Sequence, residues 1–303
     1  MYVSVIIPTY NRLEDLIQTI PQIASILDDQ SELIIYDQSD SYRPETLDGK
    51  LKGLLGNQNY TYIHSETPSV TLAWNTAATL AKGEVLLFLD DDIDLISNII
   101  EDHRKYYRAQ NNIVGVAGSY YAGSVNRPWV PSSKHGIATT CAGVNISIRT
   151  ETFLKTGAAS DYIKPFAGFD WEFAEFVTKN YGKLAVGNDL FVMHRAPASG
   201  GCGNQAERGI DWYYGCYFNH FLWMFSRRGL FKFSRLPRHV YWLMRYCIPP
   251  KHILMTTDFF RQSILEAFVA ARKKHHRNAR QRRAEKSRST EYNVCSEVRR
   301  RSS

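Results

Sequence analysis

Residues Val85 to Asp94 read VLLFLDDDID: five apolar residues running into three consecutive carboxylates, with a fourth at Asp94. A short, continuous apolar run of this kind is a buried strand, and its polar end marks where the chain meets water. Adjacent carboxylates repel one another, so a cation is expected to share the place. Divalent ions that assist phosphate chemistry take oxygen ligands, and Mg²⁺ or Mn²⁺ commonly borrows one or two protein carboxylates. Asp90 and Asp92, at i and i+2 on the tip of a strand, have the spacing for that role. In the competing reading, Asp92 or Asp94 merely caps a following helix through LISNIIEDHRKYY.

Outward from this stretch the first half alternates apolar runs with helical patterns. VSVII (Val3–Ile7), ELIIYD ending at Asp37, YTYIHS and EVLLFL read as strands. Between them RLEDLIQTIPQIASIL and SVTLAWNTAATLAKG read as helices, the first kinked or split at Pro21 and the second stopped at Gly83. This order predicts an α/β fold: a Rossmann-like, mixed but mostly parallel sheet flanked by helices, with right-handed crossovers. Ligands of such sheets gather at the C-terminal strand edges, where Pro8, Asp37 and Asp90–Asp92 all fall. Further on, NIVGVAGSYY and ATTCAGVNISIR read as strands, GFDWEFAEFVTKNYG as a helix, and KLAVGNDLFVMH as one strand or two. The Gly-rich APASGGCGNQAERG is too polar for a core and reads as a loop.

Three hundred and three residues suffice for a large core. Five scattered cysteines without a CxxC pair suit reduced thiols better than a disulfide framework or zinc site. Met1 leads at once into a strand, so no leader is expected, and no run approaches the ~18 apolar residues of a membrane span. The net charge of +7 is unevenly spread. Residues 272–303 carry twelve Lys/Arg against three Glu, an excess of nine that leaves −2 for the rest. A folded nucleic-acid-binding surface is therefore not expected.

SVIIPTYNR (Ser4–Arg12), IIYDQSD (Ile34–Asp40), AWNTAATLAKGEVLLFLDDD (Ala73–Asp92) and GFDWEFAEF (Gly168–Phe176) fall in order along the chain. Together they resemble the successive signatures of glycosyltransferase family 2, inverting enzymes with a GT-A fold, of the kind that builds bacterial surface polysaccharides. The resemblance covers about residues 1–200. It implies that Pro8, Thr9, Tyr10 and Arg12 line a nucleotide-sugar pocket, that Asp37 binds the base, and that Asn75 orders the donor site. Asp90 and Asp92 would hold the metal, with His194 as a further ligand near the diphosphate, and Asp91 would turn toward a sugar hydroxyl or the backbone. Where the family has a Glu-Asp pair, this chain has Phe169-Asp170, which leaves Asp170 as the general base with Glu172 in reserve. At the start of a helix the macrodipole would help keep Asp170 ionised; alternatively it is a plain N-cap.

Arg195 is a second candidate for the diphosphate, and SGGCGNQ resembles a loop that folds over bound donor. Among Trp74, Trp129 and Trp171, the last, beside the base, is the one expected to face sugar. The expected organisation is a catalytic domain over 1–205 with a nucleotide-sugar half to about 122 and an acceptor half over 123–205. An aromatic and basic helical extension over 206–271 and a disordered basic tail over 272–303 follow. The mixture of rings and cations over 210–248 suits a membrane surface, and equally an oligomer interface or a cover over the acceptor cleft.

The expected activity is transfer of a sugar from a nucleotide-diphosphate donor to a saccharide or lipid-linked hydroxyl, in the cytoplasm or at the inner face of the membrane. A catalytically silent, membrane-associated relative is the alternative, and the missing Glu at position 169 is its best support. A nucleotidyltransferase would need a Gly-rich phosphate loop after the first strand, and PTYNRLED has no glycine.

Overall fold

The first strand, β1 (Val3–Thr9), lies between β2 (Ser31–Asp37) and β4 (Val85–Leu89), parallel to both, and β3 (Tyr60–His64) extends the parallel set beyond β2. Buried on both faces, β1, β2 and β4 are mostly apolar, as central parallel strands must be, whereas β3 at the edge is only half-buried. The computed structural model describes residues 1–123, 128–158, 168–197, 201, 209–226 and 259–277. It divides into two units, Met1–Glu207 and Arg208–Ser303.

On the far side of β4 the sheet becomes mixed. β9 (Asn145–Arg149) runs antiparallel between β4 and β6 (Ile113–Ala122), and β10 (Lys183–His194) pairs parallel with β6. The strand order is β3-β2-β1-β4-β9-β6-β10, continued by the short β8 (Ile137–Ala138) and β7 (Ser133–Lys134). KLAVGNDLFVMH is thus one strand, with a register shift between Val186 and Phe191. Of ATTCAGVNISIR only the last five residues and Ala138, the end of β8, are strand.

Helices α1 (Leu13–Ala24), α2 (Pro44–Leu55) and α4 (Ile99–Ala109) cover one face; α3 (Val70–Leu80), α5 (Thr150–Thr156) and α6 (Phe169–Asn180) supply the core of the other. α1 runs through Pro21 as one helix rather than two. PETLDGKLKGLL is mostly polar, yet Leu47, Leu51 and Leu55 give α2 a buried stripe at helical spacing, opened by Pro44 at its first turn. α4 starts later than expected: Asn98 caps it, accepting the N–H of Glu101, so neither Asp92 nor Asp94 serves as its cap.

α4 also brings a histidine under the sheet. His103 is fully buried, its ring nitrogens 2.7 Å from Ser147 Oγ and 2.9 Å from Asn145 Oδ1. Asn145 in turn donates to the carbonyls of Ser119 and Leu190, which ties three strands together. Burial pushes the His103 pKa down to about 4. Because the unfolded chain binds that proton more readily, stability is lost as pH falls from ~6.5 through about 4, by on the order of 3 kcal/mol. Urea unfolding of His103→Gln is expected to show a flatter pH dependence over that window than the parent protein. Parallel curves would contradict a neutral buried imidazole.

Candidate active site

After Leu89 the chain turns through Asp90–Asp92 into a three-residue strand, β5 (Ile93–Leu95), that pairs antiparallel with the end of β10. The register sets His194 opposite Ile93, which places the imidazole beside Asp92. The turn is braced from α1. Thr19 Oγ lies 2.8 Å from the Asp91 carbonyl and 3.0 Å from that of Ile93, and Gln22 bonds both Asp94 and the Leu95 N–H. Arg195 completes the brace: its guanidinium bonds Asp94, the Ile93 and Asp15 carbonyls and Thr19, while its N–H donates to the Asp92 carbonyl. Arg195 is thus committed to the scaffold rather than offered to a diphosphate.

The acids have separate fates. Asp90 is the accessible one, with a third of its side chain exposed, while Asp92 is fully buried. Asp91 turns inward, accepting from the Thr9 hydroxyl at 2.6 Å and from Arg12, so it does not face a sugar hydroxyl. Asp90, Asp92 and His194 offer ligand atoms that all lie within 4.8 Å of one another. His194 Nε2 is 3.1 Å from Asp92 Oδ1 and 3.7 Å from Asp90 Oδ2. Asp92 Oδ1 is buried without a donor in hydrogen-bonding geometry among the described residues. With His194 Nε2 as its cationic neighbour, this buried oxygen still has lone-pair capacity to offer a metal ion. Two carboxylates and an imidazole fit Mg²⁺ or Mn²⁺, and the nitrogen ligand favours Mn²⁺.

Electrostatics follow the same layout. Burial works against charge on Asp92, but His194 and Arg12 outweigh it and hold its pKa below the usual carboxylate range. Burial likewise opposes the imidazolium of His194, and Asp92 and Asp90 override it, raising the pKa. Burial raises Asp90, helped by the neighbouring Asp92.

The turn after β1 forms the adjoining wall. Pro8 and Thr9 close the strand, opposite Tyr36 and Asp37 of β2. Asn11, in the left-handed region at φ 55°, bonds the Asp40 carboxylate with its amide nitrogen and the Asp40 and Ser41 N–H groups with its oxygen. This residue ties the two strand ends together; the local αL tolerance of Asn was the available signal for it. Asp37 is fully buried and accepts from the Ser39 N–H, Tyr42 OH and Tyr62 OH. Both of its oxygens are engaged by the protein, so it holds Tyr42 and Tyr62 in place instead of presenting a free carboxylate. Gly201, from the Gly-rich loop, donates its N–H to the Tyr10 carbonyl at 3.0 Å.

Asp170 approaches from α6. The helix N-cap is Gly168, in the left-handed region, so Asp170 sits inside the first turn and is not the cap. Its carboxylate accepts from the Trp171 N–H at 2.9 Å and the Gly143 N–H at 3.3 Å. Burial nevertheless lifts its pKa to about 7, against those two N–H groups, and the charge of Asp90 adds to the rise. The helix start therefore does not keep it strongly acidic. Phe169 turns away, its ring edge-on to Trp74 at 5.1 Å. Trp74 itself is core, stacked on Phe88 at 4.0 Å. Asn75 is spent on the backbone of Ala158, accepting its N–H and donating to its carbonyl, and so anchors the chain after α5. Trp171 and Glu172 are half-buried on the same first turn as Asp170. Trp129 stacks on Tyr120, whose ring meets His194 edge-on at 5.5 Å; this aromatic support of the imidazole was not legible in the sequence.

The family model described as Glycosyl transferase family 2 matches residues 4–176, more than half of the chain. The chain belongs to glycosyltransferase family 2. It is 32% identical over 122 residues to the poly(ribitol-phosphate) beta-N-acetylglucosaminyltransferase TarP of Staphylococcus aureus, a match covering 39% of this chain and 36% of that protein. With an uncharacterized glycosyltransferase of Haemophilus influenzae the identity is 24% over 185 residues, 55% of this chain and 60% of the relative. The chain thus spans less than two thirds of the length of both. Among solved structures, S. aureus TarS 1-349 in complex with UDP-GlcNAc superposes with a TM-score of 0.63 at 17% identity, covering 89% of this chain and 81% of that one. The mannosyltransferase PcManGT of Pyrobaculum calidifontis, in complex with GDP-Man and Mn²⁺, gives a TM-score of 0.55 at 15% identity, covering 90% and 86%. These two likenesses establish the GT-A-like fold of this family 2 protein.

In the second unit α7 (Ile210–Ser226) buries Tyr213, Phe218, Trp223 and Phe225, and Phe221 and Phe225 meet Phe268 from a following helical segment. These buried rings are packed in protein, which removes them from any lipid-facing surface; residues 227–248 lie outside the described residues. A π-helical stretch, Phe259–Glu266, continues as α-helix over 267–277, so the first residues of the basic tail are helical, and the rest of it is outside the described residues. No helix among the described residues is long and apolar enough to cross a membrane.

Proposed function

We propose that this family 2 protein transfers one sugar from a nucleotide-diphosphate donor to a hydroxyl acceptor, with inversion at the anomeric carbon. The observation that carries this reading is the meeting of Asp90, Asp92 and His194 at one strand edge, their ligand atoms within 4.8 Å of one another. A divalent ion bound there, Mn²⁺ or Mg²⁺, would neutralise charge on the departing diphosphate. The β1 turn, from Pro8 to Arg12, lines the nucleotide side, with Asp37 acting through the tyrosines it holds. Asp170 accepts the acceptor hydroxyl's proton while that oxygen forms its bond to the anomeric carbon. The bond from that carbon to the diphosphate breaks on the opposite face, so a single displacement inverts the centre without a covalent sugar intermediate. Trp171 and Glu172 flank the acceptor side.

The donors named with the solved relatives, UDP-GlcNAc and GDP-Man, are the first to test. The poly(ribitol-phosphate) in the name of TarP supports testing polyol hydroxyls as acceptors beside saccharide and lipid-linked ones. A lipid-linked acceptor would place the reaction at the inner face of the membrane. A panel of UDP-, GDP- and dTDP-sugars with Mn²⁺, read by release of nucleoside diphosphate, is expected to give turnover with one donor class and none after chelation. Calorimetric absence of binding for every diphosphate with Mn²⁺ would instead favour a silent relative, the reading that Phe169 in place of Glu supports.

A further inference from the structure

The acids at the end of β4 carry their own cation. Arg12 Nη1 lies 3.2 Å from Asp91 Oδ1 and 3.0 Å from Asp92 Oδ2. Asp92 thereby divides its oxygens, Oδ2 to Arg12 and Oδ1 to the His194 side. The backbone at Gly201 also approaches the guanidinium closely. A Cβ on Gly201 would stand 2.7 Å from Arg12 Cζ, and the N–H of Gly201 is fixed on the Tyr10 carbonyl. The next cation along, Arg195, spends both terminal nitrogens of its guanidinium on Asp94, Thr19 and backbone carbonyls.

A divalent ion held by Asp90, Asp92 Oδ1 and His194 would therefore share one carboxylate with a fixed guanidinium. Like charges a few ångströms apart repel strongly inside protein. A diphosphate reverses the sign of the problem, since its oxygens can bind the ion and give a guanidinium a bidentate partner. We propose that Arg12 makes metal capture conditional on the nucleotide diphosphate: it weakens binding of the ion alone and strengthens binding of the ion with its nucleotide. This rests on the metal reading of the site given above. It defines an order of events in which ion and donor enter together.

Electron paramagnetic resonance of free Mn²⁺, with the full chain alone and with saturating UDP or GDP, tests it. The parent protein is expected to bind Mn²⁺ about tenfold or more tightly when the diphosphate is present. Arg12→Gln is expected to bind Mn²⁺ alone about fivefold or more tightly than the parent, with a smaller gain from the diphosphate. Arg12→Lys, which keeps the charge, should stay near the parent, and Arg12→Ala read in the same way covers a failure of the Gln variant to fold. Unchanged or weaker Mn²⁺ affinity in Arg12→Gln without nucleotide overturns the inference alone. A parent protein that binds no Mn²⁺ under any condition overturns the metal reading beneath it.

Discussion

Asp170→Asn is expected to lower the rate of sugar transfer by about a thousandfold, within the 10²–10⁴ range that a positioned general base contributes. The amide keeps the size of the side chain and can still accept an N–H from Gly143 or Trp171, so donor binding should be preserved. The same substitution has an opposite effect on the fold. With its pKa raised to about 7 in the folded state, the carboxylate binds its proton more tightly there than in the unfolded chain. Its ionisation therefore destabilises the protein as pH rises through about 7, by on the order of 2–4 kcal/mol, and this penalty is absent at pH 4. Asp170→Asn should melt above the parent at pH 8 and with it at pH 4. The parent's transfer rate should climb through pH about 7, because the ionised form is the base. Activity within a few-fold of the parent, measured at pH 8, would remove Asp170 from the role.

Asp92→Asn is expected to reduce Mn²⁺-dependent nucleotide binding by more than about a hundredfold, beyond the 10–100-fold typical of losing a group that only supports a ligand. Asp92 is the pivot of the site, since its two oxygens separately face His194 and Arg12. Asn supplies one neutral oxygen and puts an NH₂ where the other acid oxygen stood, so one of the two cations loses its partner. His194→Gln should lose affinity for Mn²⁺ more than for Mg²⁺, because only the imidazole contribution favours the softer ion. Isothermal titration of a nucleoside diphosphate with each metal reads both variants. Equal metal-dependent binding in Asp92→Asn would place the ion elsewhere.

Much of this molecule can be read along the chain. Val3–Thr9, Ser31–Asp37 and Val85–Leu89 are buried along nearly their whole length and mostly apolar, with polar residues such as Glu32 and Asp37 confined to the ends of the run, and a strand buried on both faces leaves little ambiguity about its type. Asp90–Asp92 declares itself because acids directly after such a strand must lie at the sheet edge. Asp170 is visible as an acid opening an amphipathic helix. Helix α2 is not legible because its stripe is only Leu47, Leu51 and Leu55 amid charge, nor is β5, because three residues carry no period.

What tertiary structure alone decided is which partner each charge finds. Arg12 and Arg195 look alike in sequence, each next to a strand end, yet one binds the acid triplet and the other braces β5 against α1. Asp90, Asp91 and Asp92 are chemically identical neighbours, and their exposure, contacts and protonation diverge because the β5–β10 register brings His194 to one side and the β1 turn brings Arg12 to the other. Local sequence sets whether a segment is buried through its pattern of apolar residues. Charge pairing depends on distances of a few ångströms between segments separated by a hundred residues or more, and only the closed sheet fixes those.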